Sequence, residues 1–280
     1  MSGEVADLAS GKGHRDENFP VASMLLKPQH RAPIMAFYRF ARAADDVADH
    51  PTAGAHEKLK QLAEMRRGLE GEGATDAMAL ARVMRERGLN PTHAHELLDA
   101  FVQDVTVNRY ADWEQLIGYC RLSAMPVGRF VLDVHGEDRA LWPLSDALCA
   151  ALQVINHLQD CAKDYAELDR VYLTTEALAA SGAGVGDLAH ERSTPALLQA
   201  IRSMARQTAA LLRESVSFAS AIRDRRLAAE VAIIQRLAED LVGRLMTRDP
   251  LSERVHHGKA EAALLAARAV VGQIFARRRR

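Results

Sequence analysis

Apolar residues recur at intervals of three and four positions along most of this chain, which is the spacing of one face of an α-helix. No alternating run of β-branched residues between turn signals stands out, as strands would require. Glycine and proline positions separate the segments. The predicted helices cover about residues 21–26, 29–49, 54–70, 75–87, 91–107, 113–135, 143–168, 194–221, 224–247 and 257–276. The pattern predicts an all-α protein.

Some helix boundaries are predicted from single residues. Pro33 should lie in the first turn of the helix that begins near Gln29, where a missing N–H is tolerated. Asp112 should cap the helix that ends before Gly136. No linker divides the main body of the chain, so we expect one helical domain over 18–276. A flexible lead-in over 1–17 should precede it, and a basic tail over 277–280 should follow it.

Two aspartates share one face of the helix predicted over Phe37–Asp49. Asp45 and Asp49 are four residues apart, so they lie one turn apart, beside the apolar stripe that contains Phe40. Two neighbouring carboxylates repel each other and lose solvation, so a cation is expected between them. Arg42, one turn earlier, and a divalent metal ion are the candidates. The alternative is a solvated acidic cluster near a helix end.

A second pair with the same spacing, Asp160 and Asp164, follows Gln153 and Asn156 on another long predicted helix. The intervals of three, four and four residues put all four side chains on one face. A polar stripe on a largely apolar helix indicates the lining of a cavity, although an exposed face would show the same spacing. The second pair favours a functional interpretation of the first.

Facing carboxylate pairs suit Mg²⁺, which binds one or two carboxylates together with water and phosphate oxygens. Such pairs are able to hold roughly two or three Mg²⁺ ions around a diphosphate and to stabilise it as a leaving group. A di-iron helical bundle would need two Glu-x-x-His motifs, and the sequence contains only Glu253 to His256. Arginines that lie in or beside these motifs are candidate phosphate donors: Arg42, Arg121, Arg129, Arg170 and Arg254.

Overall composition and short motifs bear on the partner, the cellular compartment and the cofactor. The net charge of −1 gives no reason to expect nucleic acid as a partner. Three cysteines without a C-x-x-C spacing, and no recognisable signal peptide, predict a cytoplasmic setting. The Gly184-x-Gly186-x-x-Ala189 spacing resembles a dinucleotide motif, but no strand precedes it, so no NAD(P)H is expected. Four C-terminal arginines on an amphipathic helix leave a peripheral membrane contact open; a solvated tail is the alternative.

Together, these motifs resemble the squalene and phytoene synthases of the isoprenoid synthase fold, over nearly the whole chain from Asn18. The motifs are Tyr38-x-x-x-Arg42-x-x-Asp45-Asp46-x-x-Asp49, Gly118-Tyr119-Cys120 before Val127-Gly128, Gln153-x-x-Asn156-x-x-x-Asp160-x-x-x-Asp164, Arg170-x-Tyr172-Leu173 and Arg254-Val255. Within the family, the chain is most similar to the bacterial subgroup that converts presqualene diphosphate into hydroxysqualene for hopanoid synthesis.

The resemblance implies a helical bundle with a central cavity, and it implies roles for the residues above. The metal ligands would be Asp45, Asp49, Asp160 and Asp164. Gln153, Asn156 or Arg121 would place the water that captures the cation. Contacts to the substrate, through its phosphates or to the carbocation, would come from Tyr38, Arg42, Arg121, Arg129, Lys163, Arg170, Tyr172 and Arg254.

Several positions depart from the members that condense prenyl diphosphates, and two of them bear on the reaction. Gln159 replaces an arginine beside the second motif, and Arg121 replaces an aromatic residue. These departures favour presqualene diphosphate as the substrate. Head-to-head condensation of two prenyl diphosphates is the alternative. A catalytically silent assembly subunit is a third hypothesis, but both aspartate motifs are complete. The oligomeric state stays open.

Overall fold

The computed structural model describes residues 27–278, with side chains to residue 273. About 77% of it is helical, and no strand occurs in the described region. The thirteen α-helices of that region are α1 Pro28–Ala48, α2 Ala55–Glu70, α3 Thr75–Arg87, α4 Thr92–Thr106, α5 Trp113–Ser123, α6 Met125–His135, α7 Trp142–Gln159, α8 Cys161–Leu168, α9 Thr175–Ser181, α10 Pro195–Glu214, α11 Phe218–Ala221, α12 Arg225–Leu245 and α13 Lys259–Arg278. The all-α prediction is confirmed.

Helix ends follow the local signals in the sequence. Asp112 caps α5 by accepting a hydrogen bond from the backbone N–H of Gln115, as predicted. Gly136 ends α6 with a φ of +64°, a conformation that glycine adopts without the steric cost of a Cβ. The lead-in over 1–17 and the short helix predicted over 21–26 lie outside the described residues.

Pro33 lies inside α1 and not in its first turn, because the helix already begins at Pro28. Proline has no N–H, so the Gln29 carbonyl loses its helical donor. Arg87 replaces that donor: its Nη2 donates to the Gln29 carbonyl at 3.2 Å. The interior proline is tolerated because a side chain from α3 satisfies the carbonyl that it leaves unpaired.

Three long predicted helices are each divided in the structure, and the third of them, predicted over 194–221, is divided by a 3₁₀ turn over Ser215–Ser217 between α10 and α11. The segment predicted over 113–135 breaks at Ala124 (φ −126°, ψ −46°), because Pro126 has no N–H for the Leu122 carbonyl and its ring would clash with that carbonyl in a continuous helix. The segment predicted over 143–168 breaks at Asp160 (φ −100°, ψ 9°). Backbone hydrogen bonds from Asp160 to Asn156 and from Asp164 to Asp160 span this second break. The two aspartates therefore stay one turn apart.

The described residues pack around two apolar cores. The smaller core joins α1 to α2, α3 and α4, and it contains Phe37, Phe40, Leu62, Leu80 and Phe130. The larger core surrounds α7, which packs against α6, α10 and α12. The first aspartate pair thus stands at the end of a helix in one core, and the second at the end of α7 in the other. Among the described helices, none is long and apolar enough to cross a membrane.

Candidate active site

The first aspartate pair lies at the carboxyl end of α1, where backbone carbonyls carry partial negative charge. Asp45 is in the last turn, and Asp49 directly follows the helix. Carboxylates at this end are unfavourable unless cations are close. Arg42 provides one cation: its Nη1 is 3.0 Å from Asp45 Oδ2, and its Nη2 donates to Asp46 at 2.8 Å.

Arg170 provides the second cation, and it is only 7% exposed. Its Nη1 donates to Asp49 Oδ1 at 2.6 Å, and its Nη2 donates to the Ala48 carbonyl at 3.2 Å. Its Nε donates to the carbonyl of Asp104 on α4 at 3.1 Å. Burial opposes the charge, but the carboxylates of Asp104 and Asp49 outweigh it and raise the pKa of Arg170. Arg170 therefore fixes the end of α1 and orients Asp49.

The second aspartate pair lies at the junction of α7 and α8. Asp160 occupies the break between the helices, and Asp164 is in the first turn of α8. Burial, and then the charge of Asp164, raise the pKa of Asp160; Lys163 acts in the opposite direction. The pair therefore favours the binding of positive charge.

The predicted carboxylate ligands fit a magnesium ion that is bound partly by the protein and partly by a substrate. Within the residues whose side chains are described, no three His, Cys, Asp or Glu side chains form a group able to hold a metal ion. The four predicted ligands are thus two separate pairs and not one preformed cage. Two carboxylates per pair leave ligand positions for water and phosphate oxygens, which Mg²⁺ prefers.

Asp104 is a buried carboxyl group that sequence analysis missed. It accepts hydrogen bonds from the Tyr119 hydroxyl at 3.0 Å and from the Tyr172 hydroxyl at 3.3 Å. Burial raises its pKa to about 6, although Arg170 and the Tyr119 hydrogen bond lower it. A signal was present, because Leu97, Ala100 and Asp104 are spaced by three and four residues. A carboxyl group on an apolar stripe needs buried partners.

Replacing Asp104 by asparagine is expected to change how stability depends on pH. The folded-state pKa of about 6 exceeds the usual 3.8, so the folded protein binds the proton more tightly. Asp104 therefore stabilises the fold below about pH 4, and this contribution is lost as the pH rises through about 6. Urea unfolding at pH 4, 5 and 6.5 should show wild type losing stability relative to Asp104→Asn across this range. A constant difference between the two proteins would contradict the assignment.

His157 is a second residue beside the predicted site that sequence analysis did not select. Its ring stacks on Tyr172, with the ring centroids 3.4 Å apart and the planes 15° apart. Its Nε2 is 3.1 Å from Gln153 Nε2, and its Nδ1 is 3.8 Å from Asp164 Oδ2. The signal was its spacing of four residues from Gln153 and three from Asp160. A chain of contacts thus runs from Asp164 through His157 and Tyr172 to Asp104, whose carbonyl binds the arginine that holds Asp49.

Arg129, predicted as a phosphate donor, is bound by another carboxylate. Its Nε and Nη2 donate to Asp146 at 2.9 and 2.6 Å, and its guanidinium lies over the Trp142 ring at 5.0 Å. The hydrogen bond to Asp146 raises the pKa of Arg129, although burial lowers it. This bidentate pair ties α6 to α7. We therefore assign Arg129 a structural contact and leave it out of the proposed phosphate contacts.

The structure shows where the aromatic rings near the predicted carbocation site lie. His157 covers one face of the Tyr172 ring, and the Tyr172 hydroxyl is bound to Asp104, so this ring belongs to a packed aromatic cluster. Phe37 stacks on Phe130 in the smaller core. Tyr38 is half-buried on the same helix as the first aspartate pair, and it stays a candidate contact.

The other predicted residues keep access to solvent. Asn156 is half-buried on α7, one turn before Asp160. Arg121, Lys163 and Arg254 are exposed. Arg254 is next to Val255, whose carbonyl accepts a hydrogen bond from the buried Gln159 amide, so this loop lies against the end of α7. Gln159 thus has a structural role in holding this loop.

Comparison with known proteins identifies the family. The sequence model of the squalene/phytoene synthase family matches residues 13–261. A hydroxysqualene synthase of Zymomonas mobilis is 54% identical over 275 residues, which cover 97% of this chain and 93% of that protein. A hydroxysqualene synthase of Rhodopseudomonas palustris is 51% identical, with 98% and 94% covered. A presqualene diphosphate synthase of Zymomonas mobilis is 29% identical, with 71% and 70% covered.

Solved structures agree with this assignment. Squalene synthase HpnC from Alicyclobacillus acidocaldarius superposes with a TM-score of 0.71 at 32% identity, over 80% of this chain and 86% of that one. A dehydrosqualene synthase shares the fold, with a TM-score of 0.77 at 20% identity over 92% of both chains. The two aspartate pairs, the matched family model and these relatives show that the chain is an enzyme of the squalene/phytoene synthase family.

Proposed function

We propose that this enzyme converts presqualene diphosphate into hydroxysqualene and diphosphate, as a step towards squalene and hopanoids. One observation carries the proposal. Zymomonas mobilis contains both a hydroxysqualene synthase and a presqualene diphosphate synthase, and this chain is 54% identical to the first and 29% identical to the second. The first match also covers 97% of the chain, against 71% for the second. Prenyl diphosphates as substrates agree with the family as a whole.

The proposed reaction begins when the bond from carbon to the diphosphate oxygen breaks. Asp45, Asp49, Asp160 and Asp164 would hold Mg²⁺, and the ions would supply positive charge that neutralises the diphosphate leaving group. Arg170 keeps Asp49 in place, and the partial burial of Asp160 strengthens its attraction for cations. Arg42, Lys163 and Arg254 are the proposed additional charges around the phosphates. After rearrangement of the carbocation, a water molecule forms the C–O bond, and its proton passes to diphosphate or solvent.

The test is to incubate the purified protein and Mg²⁺ with presqualene diphosphate, and separately with farnesyl diphosphate, without NADPH. We expect hydroxysqualene and one equivalent of diphosphate from presqualene diphosphate, and no C30 product from farnesyl diphosphate. Mass spectrometry of the extract and a diphosphate assay measure the two products. If farnesyl diphosphate is consumed and presqualene diphosphate is not, the result would support head-to-head condensation and overturn the proposal.

We also propose a peripheral contact with a membrane, because a C30 product is far more soluble in lipid than in water. The structure corrects one part of the prediction from sequence. Over residues 259–273, where side chains are described, Leu265 is buried whereas Leu264 and Val271 are exposed, so the apolar residues of that part of α13 do not share one face. Exposed Leu264 and Val271 are the apolar residues on α13 that support the contact. The arginine side chains of 277–280 lie outside the described residues.

A further inference from the structure

His157 lies on the polar stripe of α7, although it is only 8% exposed. Gln153 is one turn before it, and Asp160 is one turn after it. An ordinary core position would be filled by an apolar side chain, since a buried imidazole must satisfy two ring nitrogens. Both nitrogens of His157 face residues that belong to the proposed site.

The Gln153 contact fixes the proton of the imidazole. Gln153 Nε2 is 3.1 Å from His157 Nε2, and an amide nitrogen is only a donor. His157 Nε2 therefore accepts, and the ring proton is on Nδ1, which faces Asp164 Oδ2 at 3.8 Å. Because the amide nitrogen of Gln153 is committed to His157, its carbonyl oxygen remains for another donor.

The ring of His157 is itself held by aromatic packing. It stacks on Tyr172 at 3.4 Å, and the Tyr172 hydroxyl donates to the buried carboxyl of Asp104. Tyr119, which also donates to Asp104, lies 6.0 Å away, centroid to centroid. The orientation of the imidazole is thus set by a buried cluster that extends to α4 and α5. A ring fixed in this way is able to hold a flexible glutamine in one rotamer.

We propose that His157 is a positioning residue that determines the product: it holds the Gln153 amide so that the Gln153 carbonyl oxygen orients the water that captures the carbocation. A carbonyl acceptor bound to one water proton directs a lone pair of the water oxygen towards the cation. The C–O bond then forms, and the proton leaves to diphosphate or solvent. The inference rests on the proposed function, because it concerns the last step of that reaction.

The test compares three variants on presqualene diphosphate. His157→Phe keeps the stacking surface and removes both nitrogens. We expect diphosphate release within about threefold of wild type, but a fall of about tenfold in the hydroxysqualene share of the C30 products, since small misplacements of a reacting group are costly. Alkenes formed by proton loss should replace it. His157→Gln puts an amide near the Nε2 position and should restore much of the share, whereas His157→Asn, whose amide replaces Nδ1, should not.

His135→Phe is the matched control. His135 is a second histidine packed against another ring, with its centroid 4.2 Å from that of His30 and the planes tilted by 34°, and it lies at the end of α6. This variant should keep the wild-type product distribution. Melting temperatures of all four variants separate loss of fold from loss of specificity.

Each remaining outcome decides the inference. An unchanged hydroxysqualene share in His157→Phe would overturn the inference. A loss of all products in unchanged proportions would also overturn it, because His157 would then act by supporting Asp164. Failure of wild type to make hydroxysqualene would instead overturn the proposed function, so the two failures are distinguishable.

Discussion

Replacing Asp160 by asparagine is expected to lower kcat for presqualene diphosphate by at least about 100-fold, because the change removes a proposed metal ligand. The same change should leave the fold at least as stable as wild type at pH 7. Burial and the nearby Asp164 raise the pKa of Asp160, so its charge costs stability in the free protein. Lost activity with unchanged or higher melting temperature is the expected sign of a residue kept for function.

Ligand binding provides a readout that does not depend on turnover. Mg²⁺ together with inorganic diphosphate should raise the melting temperature of wild type and have much less effect on Asp160→Asn, since only binding to the folded state stabilises it. Asp99→Asn is the matched control: Asp99 is 53% exposed in an ion pair with Arg66, and its loss should change neither kcat nor the thermal shift. Wild-type activity in Asp160→Asn would show that the metal assignment is wrong.

Replacing Arg170 by methionine should have the largest effect on stability, a loss of about 3–5 kcal/mol in the free energy of unfolding. The variant would leave the Asp49 carboxylate without its buried cation, and it would leave the carbonyls of Ala48 and Asp104 without donors. Arg170→Lys keeps the charge but lacks the planar fork that reaches all three acceptors, so an intermediate loss is expected. Urea unfolding followed by circular dichroism measures these differences.

Arg66→Met is the control for this experiment. Arg66 forms an ion pair with Asp99 at the surface, and such pairs contribute at most about 1 kcal/mol. If Arg170→Met were as stable as Arg66→Met, the buried contacts of Arg170 would not be what fixes the end of α1. Activity should also fall in Arg170→Met, because Asp49 loses the group that orients it.

Much of the fold was predictable because helix periodicity is a local property. Nine of the ten predicted segments lie in the described region, and each of them is helical there. Asp112 correctly marked the start of α5, and Gly136 the end of α6. The breaks inside three of the predicted helices were missed. Pro126 follows the first break closely enough to have predicted it, whereas no glycine or proline marks the break at Asp160.

The candidate site was predictable only in part. Two aspartates four residues apart identify a pair on any helix, so Asp45, Asp49, Asp160 and Asp164 were found from spacing alone. The sequence did not show which arginine pairs with which carboxylate. Arg129 binds Asp146, and Arg170 binds Asp49, 121 residues earlier in the chain.

Local residue patterns are enough to establish the all-helical class, the two carboxylate pairs and, through the motifs, the family. How the pairs are supported depends on contacts between segments that are distant in the chain. Arg170 joins α1 to α4, Asp104 binds two tyrosine hydroxyls, and His157 lies between Gln153, Asp164 and Tyr172. The physical reason is the range of the interactions. Helix formation follows from residues within about a turn of each other, whereas burial and the pairing of charges depend on segments that meet only after folding.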